Sequence, residues 1–311
     1  MNCFKITIIG LLLISGFYFS LKTPVHIHEV LEVSADTATT SLEVGNSVPS
    51  VSSVNLNSGS NVDLSEDGSV VITATGTVTD NNGYSDISSV IGRIYRSGVT
   101  STEACSLDDN NCYEDSSCST SSCSGSDCVA SCSWTVWFHA EPTDAGSDWS
   151  GEYWMAWIKA IDSSSASSSA TNSAQTIEMN TLTAIDISDS IDYGSLSPGQ
   201  TNDPLDKLLL ATTTGNEAID ANISGTNMCT DYPTCSVATT SITNQHYATT
   251  GVAYASGHTA SSSAVLLEFL TTKPVDHPSS QAQSIYWGTR VPTSTAIGSY
   301  TGVNTFSAQS D

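Results

Sequence analysis

Positive charge is what this sequence most lacks: its 311 residues hold 8 Lys+Arg against 32 Asp+Glu, for a formal net charge of −24. A surface of that sign repels phosphate backbones and anionic headgroups, which argues against nucleic acid or lipid as a principal partner. Long apolar runs are missing after residue 19, so no later segment offers the roughly 20 apolar residues of a membrane-crossing helix. No stretch sustains a 3.6-residue apolar period, and helix is expected to be negligible outside the N-terminus. Catalytic signatures are missing too. The chain has no G-x-S-x-G, no H-E-x-x-H and no glycine-rich phosphate loop, and its 6 histidines are scattered. Carboxylates are plentiful but fall mostly in turns and linkers, so the expectation is a protein without catalysis.

What is present begins with a leader. Lys5 precedes the apolar run Ile6–Phe19, a basic start followed by an apolar stretch of secretory length. Residues 1–35 are therefore expected to be a signal peptide, cleaved after Ser20 or as late as Ala35. Any membrane association would come through that leader if it stayed uncleaved. Removing it removes Cys3 and leaves eight of the 9 cysteines. Six lie between Cys105 and Cys132 with spacing C-x6-C-x5-C-x4-C-x4-C-x3-C, which contains no C-x2-C zinc knuckle and no histidine. Thiols this dense point to disulfides and to an oxidising, extracellular destination. Cys229 and Cys235 most simply pair with each other across a turn containing Asp231 and Pro233. For the six, if the strands around Val90–Arg96 and Cys132–Phe138 are hairpin partners, a nested set is favoured: Cys105–Cys132, Cys112–Cys128 and Cys118–Cys123. Sequential pairing is the rival.

Residues 36–50 are rich in Ser and Thr and read as a linker. From Val70 to Thr79 apolar and polar residues alternate, with Val70, Ile72, Ala74, Gly76 and Val78 on one face, the mark of a half-buried strand. Asp80-Asn81-Asn82-Gly83 then signals a turn. Val90–Arg96, 132–139 and 152–161 continue as strands, Ala174–Glu178 is a plausible closing strand, and Ser163–Ser169 suggests a hairpin tip. Further on, Leu208–Thr212, Ala264–Phe269, Ser284–Trp287 and Tyr300–Phe306 supply a second set. Short strands between regular turns predict an all-β chain of two sandwiches, 51–180 with a cysteine-rich insertion at 101–132, and 181–311.

The segments TVTDNNGYSDISSVIGRIYRSG and WMAWIKAIDSSSASSSA resemble immunoglobulin-like modules of secreted bacterial surface proteins, in which a penultimate strand of the form V-x-A-x-D closes the sandwich. IDYGSLSPGQ with LLLATTTGNEAIDANISG, and the end YWGTRVPTSTAIGSYTGVNTFSA, are similar to a second Ig-like type with a "tyGslspG … tNtGn" pattern, paired with the first in candidate-phylum bacteria. Here Thr-Thr-Gly-Asn stands where that pattern has Asn-Thr-Gly-Asn. The resemblance covers roughly residues 45–311. It implies two tandem Ig-like β-sandwiches, a fold that hosts adhesins, pilus subunits, enzyme accessories and spacers.

Two constellations are candidate sites. Asp80, Asn82 and Asp86 put oxygen ligands at alternate positions around a turn, as a calcium loop does, although Ile91 replaces the glutamate of an EF-hand. The alternative is ordinary turn chemistry. Trp137, Tyr153 and Trp157 lie opposite the apolar faces of their strands and would stack on sugar rings if exposed, or pack beneath a covering loop. The expected function is that of a secreted or cell-surface structural or adhesive protein whose cysteine-rich excursion meets a protein or surface glycan. The alternatives are a carbohydrate-binding module and a filament or sheath subunit that exchanges an N-terminal strand such as 36–56.

Overall fold

The computed structural model describes residues 36–99, 105–188, 190–268 and 272–311; the expected signal peptide, 1–35, lies outside them. Among the described residues the chain is all-β, and helix is confined to four three-residue 3₁₀ turns. Residues 45–311 form one compact unit with two main hydrophobic cores.

The first core lies between two four-stranded sheets. One has the order β1-β2-β6-β5, built from β1 (Ser50–Leu56), β2 (Ser69–Thr79), β5 (Ser119–Ser124) and β6 (Asp127–Trp137). The other has the order β4-β3-β7-β8, from β3 (Ile87–Arg96), β4 (Cys112–Asp115), β7 (Trp154–Asp162) and β8 (Ser167–Thr171). The alternation expected for β2 is present: Ile72, Ala74, Gly76 and Val78 are buried, while Val71 and Thr73 face out. Its partner is β6, in continuous antiparallel register from Ser69 opposite Trp137 to Thr79 opposite Asp127. Cys128, Ala130, Cys132, Trp134 and Val136 of β6 all point inward. Ala130, Cys132, Trp134 and Val136 meet Ile94, Trp154, Ala156 and Ile158 of the facing sheet. Each large side chain buried there stabilises the fold by roughly 1.5–3 kcal/mol.

Three expectations are corrected. β3 and β6 are not hairpin partners, because they lie in opposite sheets; β3 pairs with β4 and β7 instead. The cysteine-rich segment is therefore not an excursion of one hairpin. It carries an edge strand for each sheet, β4 and β5, and crosses between them. The closing strand at 174–178 is absent: that segment makes isolated bridges, Trp154 with Ile177 and Val62 with Met179, and the strand beside β7 is β8. Finally, residues 50–56 are no free exchangeable strand, since β1 pairs with β2 and sends Val54 and Leu56 into the core.

The second half is built on β9 (Ile185–Ile187), β10 (Lys207–Thr213), β11 (Ile219–Gly225), β12 (Met228–Cys229), β13 (Thr239–Thr240), β14 (Gln245–Ala248), β15 (His258–Thr259), β16 (Val265–Leu267), β17 (Ala282–Thr289) and β18 (Asn304–Ser310). A five-stranded sheet, β15-β14-β17-β10-β9, and a three-stranded sheet, β16-β11-β18, enclose its core, and β12 and β13 form a separate pair. Leu209, Ala211, Tyr247, Ile285 and Trp287 from the larger sheet meet Ala221, Ile223 and Leu267 from the smaller.

The halves are joined at the β10–β11 turn, the Thr213-Thr214-Gly215-Asn216 motif. The Asn216 side chain is fully buried. Its amide donates to the carbonyls of Ala140 (3.0 Å) and Asn180 (3.1 Å), and its oxygen accepts the Leu182 N–H (2.7 Å). A Cβ on Gly215 would be driven into the Leu182 carbonyl, so the turn needs glycine. Thr214 adds a bond to Glu66 at 2.9 Å.

Candidate functional site

All eight described cysteines are in disulfides. The Cys229–Cys235 pairing is as expected, but the nested set is not. The bridges are Cys105–Cys112, Cys118–Cys132 and Cys123–Cys128. The reason is topological. Cys112 opens β4 at the edge of one sheet, whereas Cys128 and Cys132 are on β6 in the other. Cys118 is hydrogen-bonded through its N–H to the Val90 carbonyl of β3 (3.0 Å) and reaches Cys132 in the facing sheet, with Cα atoms 4.4 Å apart. That bridge is an inter-sheet staple inside the core. Gly92 of β3 makes room for it: an added Cβ would lie 2.5 Å from Cys132 Sγ and 2.9 Å from Trp134. Cys123–Cys128 closes the β5–β6 hairpin, whose turn has Gly125 at φ +62°. The outer residues of this hairpin, Ser119 to Ser122, form an exposed polar edge.

The proposed aromatic row is not a platform. Trp157 is 4% exposed and packs with Tyr95 against the Cys105–Cys112 bridge, so the loop covers it. The Arg93 guanidinium lies 6.0 Å from its ring. Trp137 is half-buried and packs against His277 with ring centroids 4.2 Å apart and planes tilted by 48°. Tyr153 is half-buried, with its backbone tied to Ser97 in both directions. Nearby, Arg96 is held between Glu141 (2.5 Å) and Glu152, with Trp149 at 5.1 Å.

Trp137 leads into a clasp between the halves. Lys273 donates to Asn110 Oδ1 (2.8 Å), the His139 carbonyl (2.5 Å) and the Pro274 carbonyl (2.9 Å). Burial lowers this amine to about 8, opposed by the charges of Glu141 and Asp108. Its three acceptors make it a strut. His139 beside it is buried with neither ring nitrogen hydrogen-bonded. Burial lowers His139 from 6.5 to about 4, reinforced by Lys273 and His277 and opposed by Asp109 and Asp276. Between those values the unfolded chain binds a proton that the folded chain does not. Stability from this group is therefore full above pH 6.5 and is lost as pH falls toward 4. Urea titrations across that window are expected to show a shallower acid loss for His139→Leu than for the wild type; equal slopes would contradict the assignment.

Of the calcium-loop residues, the structure brings Asp80 and Asp86 together and turns Asn82 away. Asn82 accepts the Ser47 N–H (2.6 Å) and donates to the Gly45 carbonyl (3.2 Å). The third member is Asp162, at the end of β7: one carboxylate oxygen from each of Asp80, Asp86 and Asp162 lies within 4.8 Å of the others. Asp80 and Asp162 are buried. Asp162 accepts from Asn46 (2.8 Å) and from the N–H groups of Ser164 (2.9 Å) and Ala166 (2.8 Å). The Asn46 amide, then the backbone N–H of Ala166 and of Ser164, hold it below the usual carboxylate range. Asp86 accepts from the Ser163 hydroxyl. Asp80 Oδ1 accepts the Asn82 N–H (2.8 Å), but Asp80 Oδ2 is buried with no partner. Sequence reasoning searched for ligands within one loop and so missed Asp162, which follows Asp80 by eighty-two positions.

A separate cleft of about 1280 Å³ opens in the second half, walled in part by Tyr193, Pro198, Ile297, Tyr300 and Phe306. Its described lining holds one carboxylate, Asp192, and one cation, Arg290. Among the described residues no helix is long and apolar enough to cross a membrane. The fold and its bridges define an all-β, sandwich-like, disulfide-bonded protein. No protein-family model and no curated protein matches the chain.

Proposed function

We propose that the protein is a secreted or cell-surface structural or adhesive scaffold of two Ig-like sandwiches, without catalysis, that presents the disulfide-stapled edge to a partner. The observation that carries this reading is the Cys118–Cys132 bridge. A disulfide between facing sheets, set in the core with a glycine opposite it, ties assembly of that core to an oxidising compartment. The leader at 1–35 is the route by which the chain would reach it.

Two observations support a non-catalytic role. The described lining of the second-half cleft contains no carboxylate pair, and Lys273, the amine shifted closest to neutrality, is fully engaged as a strut. The carbohydrate-module alternative loses Trp157, and a protein surface becomes the preferred partner for the polar β5 edge and its hairpin. Fractionation of producing cells tests this reading, with an antibody against the chain and alkylation of free thiols. The chain is expected outside the cytoplasm with its cysteines blocked. A folded, reduced, cytoplasmic chain would overturn the proposal.

A further inference from the structure

We propose that Asp80, Asp86 and Asp162 form a binding site for a hard divalent cation, calcium foremost. The inference stands apart from the adhesive reading and survives if that reading fails. Three carboxylates from two places in the chain, Asp80 and Asp86 at the start and end of the β2–β3 turn and Asp162 at the end of β7, converge with oxygens no more than 4.8 Å apart. Two oxygens bound to one calcium ion at about 2.4 Å each can be separated by at most about 4.8 Å, so no pair of the three is too far apart to share one coordination sphere. The donors are all oxygen, which selects hard cations over zinc or copper.

The second observation is Asp80 itself. A fully buried carboxylate leaves Oδ2 without a hydrogen bond, and among the described residues none of the three aspartates makes an ion pair with Lys or Arg. Burying an unpaired carboxylate oxygen beside two further acids is costly unless a cation compensates. Each carboxylate also keeps acceptor capacity. The bonds to Asp162 come from Asn46, Ser164 and Ala166, and those to Asp80 and Asp86 occupy one oxygen of each. Those bonds hold the carboxylates in place and leave lone pairs for an ion. A bound cation would lock the turn to the β7–β8 hairpin. Through Asn46 and Asn82 it would also steady the segment by which the chain enters the first sandwich.

The test uses the full exported chain, dialysed against EDTA and then melted in EDTA, in calcium chloride and in magnesium chloride, with calorimetric titration of calcium alongside. Calcium at a hundredfold excess over its Kd is expected to raise Tm by roughly 5–11 °C. Asp80→Asn keeps an acceptor for the Asn82 N–H and removes the buried charge; it should melt normally in EDTA and lose the calcium response. Asp86→Asn, at a half-buried position less prone to disturb folding, should lose it as well. A chain of net charge −24 can collect calcium diffusely, and that case is separable: an undiminished response in both variants would overturn the assignment. So would the absence of both a Tm shift and a binding heat at 10 mM calcium, about tenfold above the Kd of the weakest extracellular calcium sites.

Discussion

Replacing Cys118 and Cys132 together by alanine is expected to lower stability by roughly 3 kcal/mol, or about 6–12 °C in Tm. The bridge closes a loop of sequence separation 14, for which loss of the constraint on the unfolded chain alone is worth about that much. The consequence should extend beyond the loop. Cys118 is hydrogen-bonded to β3 and Cys132 belongs to β6, so the change loosens the contact between the two sheets of the first core. Gly92→Ala probes the same spot from the opposite side. In the native chain its Cβ would meet Cys132 Sγ at 2.5 Å and Cys132 Cβ at 2.8 Å, and overpacking of this kind costs about 1–3 kcal/mol. With both cysteines replaced by alanine, the sulfur is gone and the share of that cost owed to it should vanish, while the contacts with the Cβ at position 132 and with Trp134 at 2.9 Å remain. A double-mutant cycle by urea unfolding would read this coupling directly. Additive losses would show that glycine and disulfide are not matched to each other.

The second large effect is expected at Asn216. Its substitution by alanine removes three hydrogen bonds, one buried and two partly buried, and leaves the Ala140 and Asn180 carbonyls and the Leu182 N–H without their partner. Each orphaned group costs about 1–3 kcal/mol, so a total of roughly 3–5 kcal/mol is expected. Asn216→Asp should not rescue it. An aspartate would keep the acceptor for Leu182 but turn an oxygen against two carbonyl oxygens. Because Ala140 belongs to the first half and Asn216 to the second, the loss should also appear as separation of the two halves. Under the account, partial proteolysis of Asn216→Ala releases fragments near residue 181 that the wild type resists. A change within 0.5 kcal/mol and no new cleavage would mean that the joint is held elsewhere.

Much of this architecture was legible in the sequence because alternation is a local property. Ile72, Ala74, Gly76 and Val78 announced the inward face of β2, and Asp80 to Gly83 its end. The inward face of β6 was legible only from Cys132 onward. Cys128 and Ala130 continue it, yet cysteine within a Ser-rich stretch reads as loop when it is in fact a small apolar residue facing a core. Pairing was not legible, because which strands share a sheet depends on how far the chain travels before it returns. With β4 and β5 interposed, β3 and β6 end in different sheets, and the nested disulfides fall with that assumption. The burial of Trp157 turned on the same loop: either face of β7 could have been the wet one until Cys105–Cys112 was placed over it. The carboxylate cluster was half legible. Asp80 and Asp86 share a turn, but Asp162 comes from another strand end, and Asn82, a good ligand on paper, is occupied by Gly45 and Ser47. The Thr-Thr-Gly-Asn motif was visible as a turn, while its role as the tie between the halves depends on Ala140 and Asn180, which no local pattern connects to it.

The central claim is an oxidised scaffold whose first core is stapled between its sheets, and peptide mapping of the purified chain under non-reducing conditions tests it most directly. The account predicts linked peptides for Cys105–Cys112, Cys118–Cys132, Cys123–Cys128 and Cys229–Cys235. Free thiols among these eight, or a peptide joining Cys105 to Cys132, would contradict it.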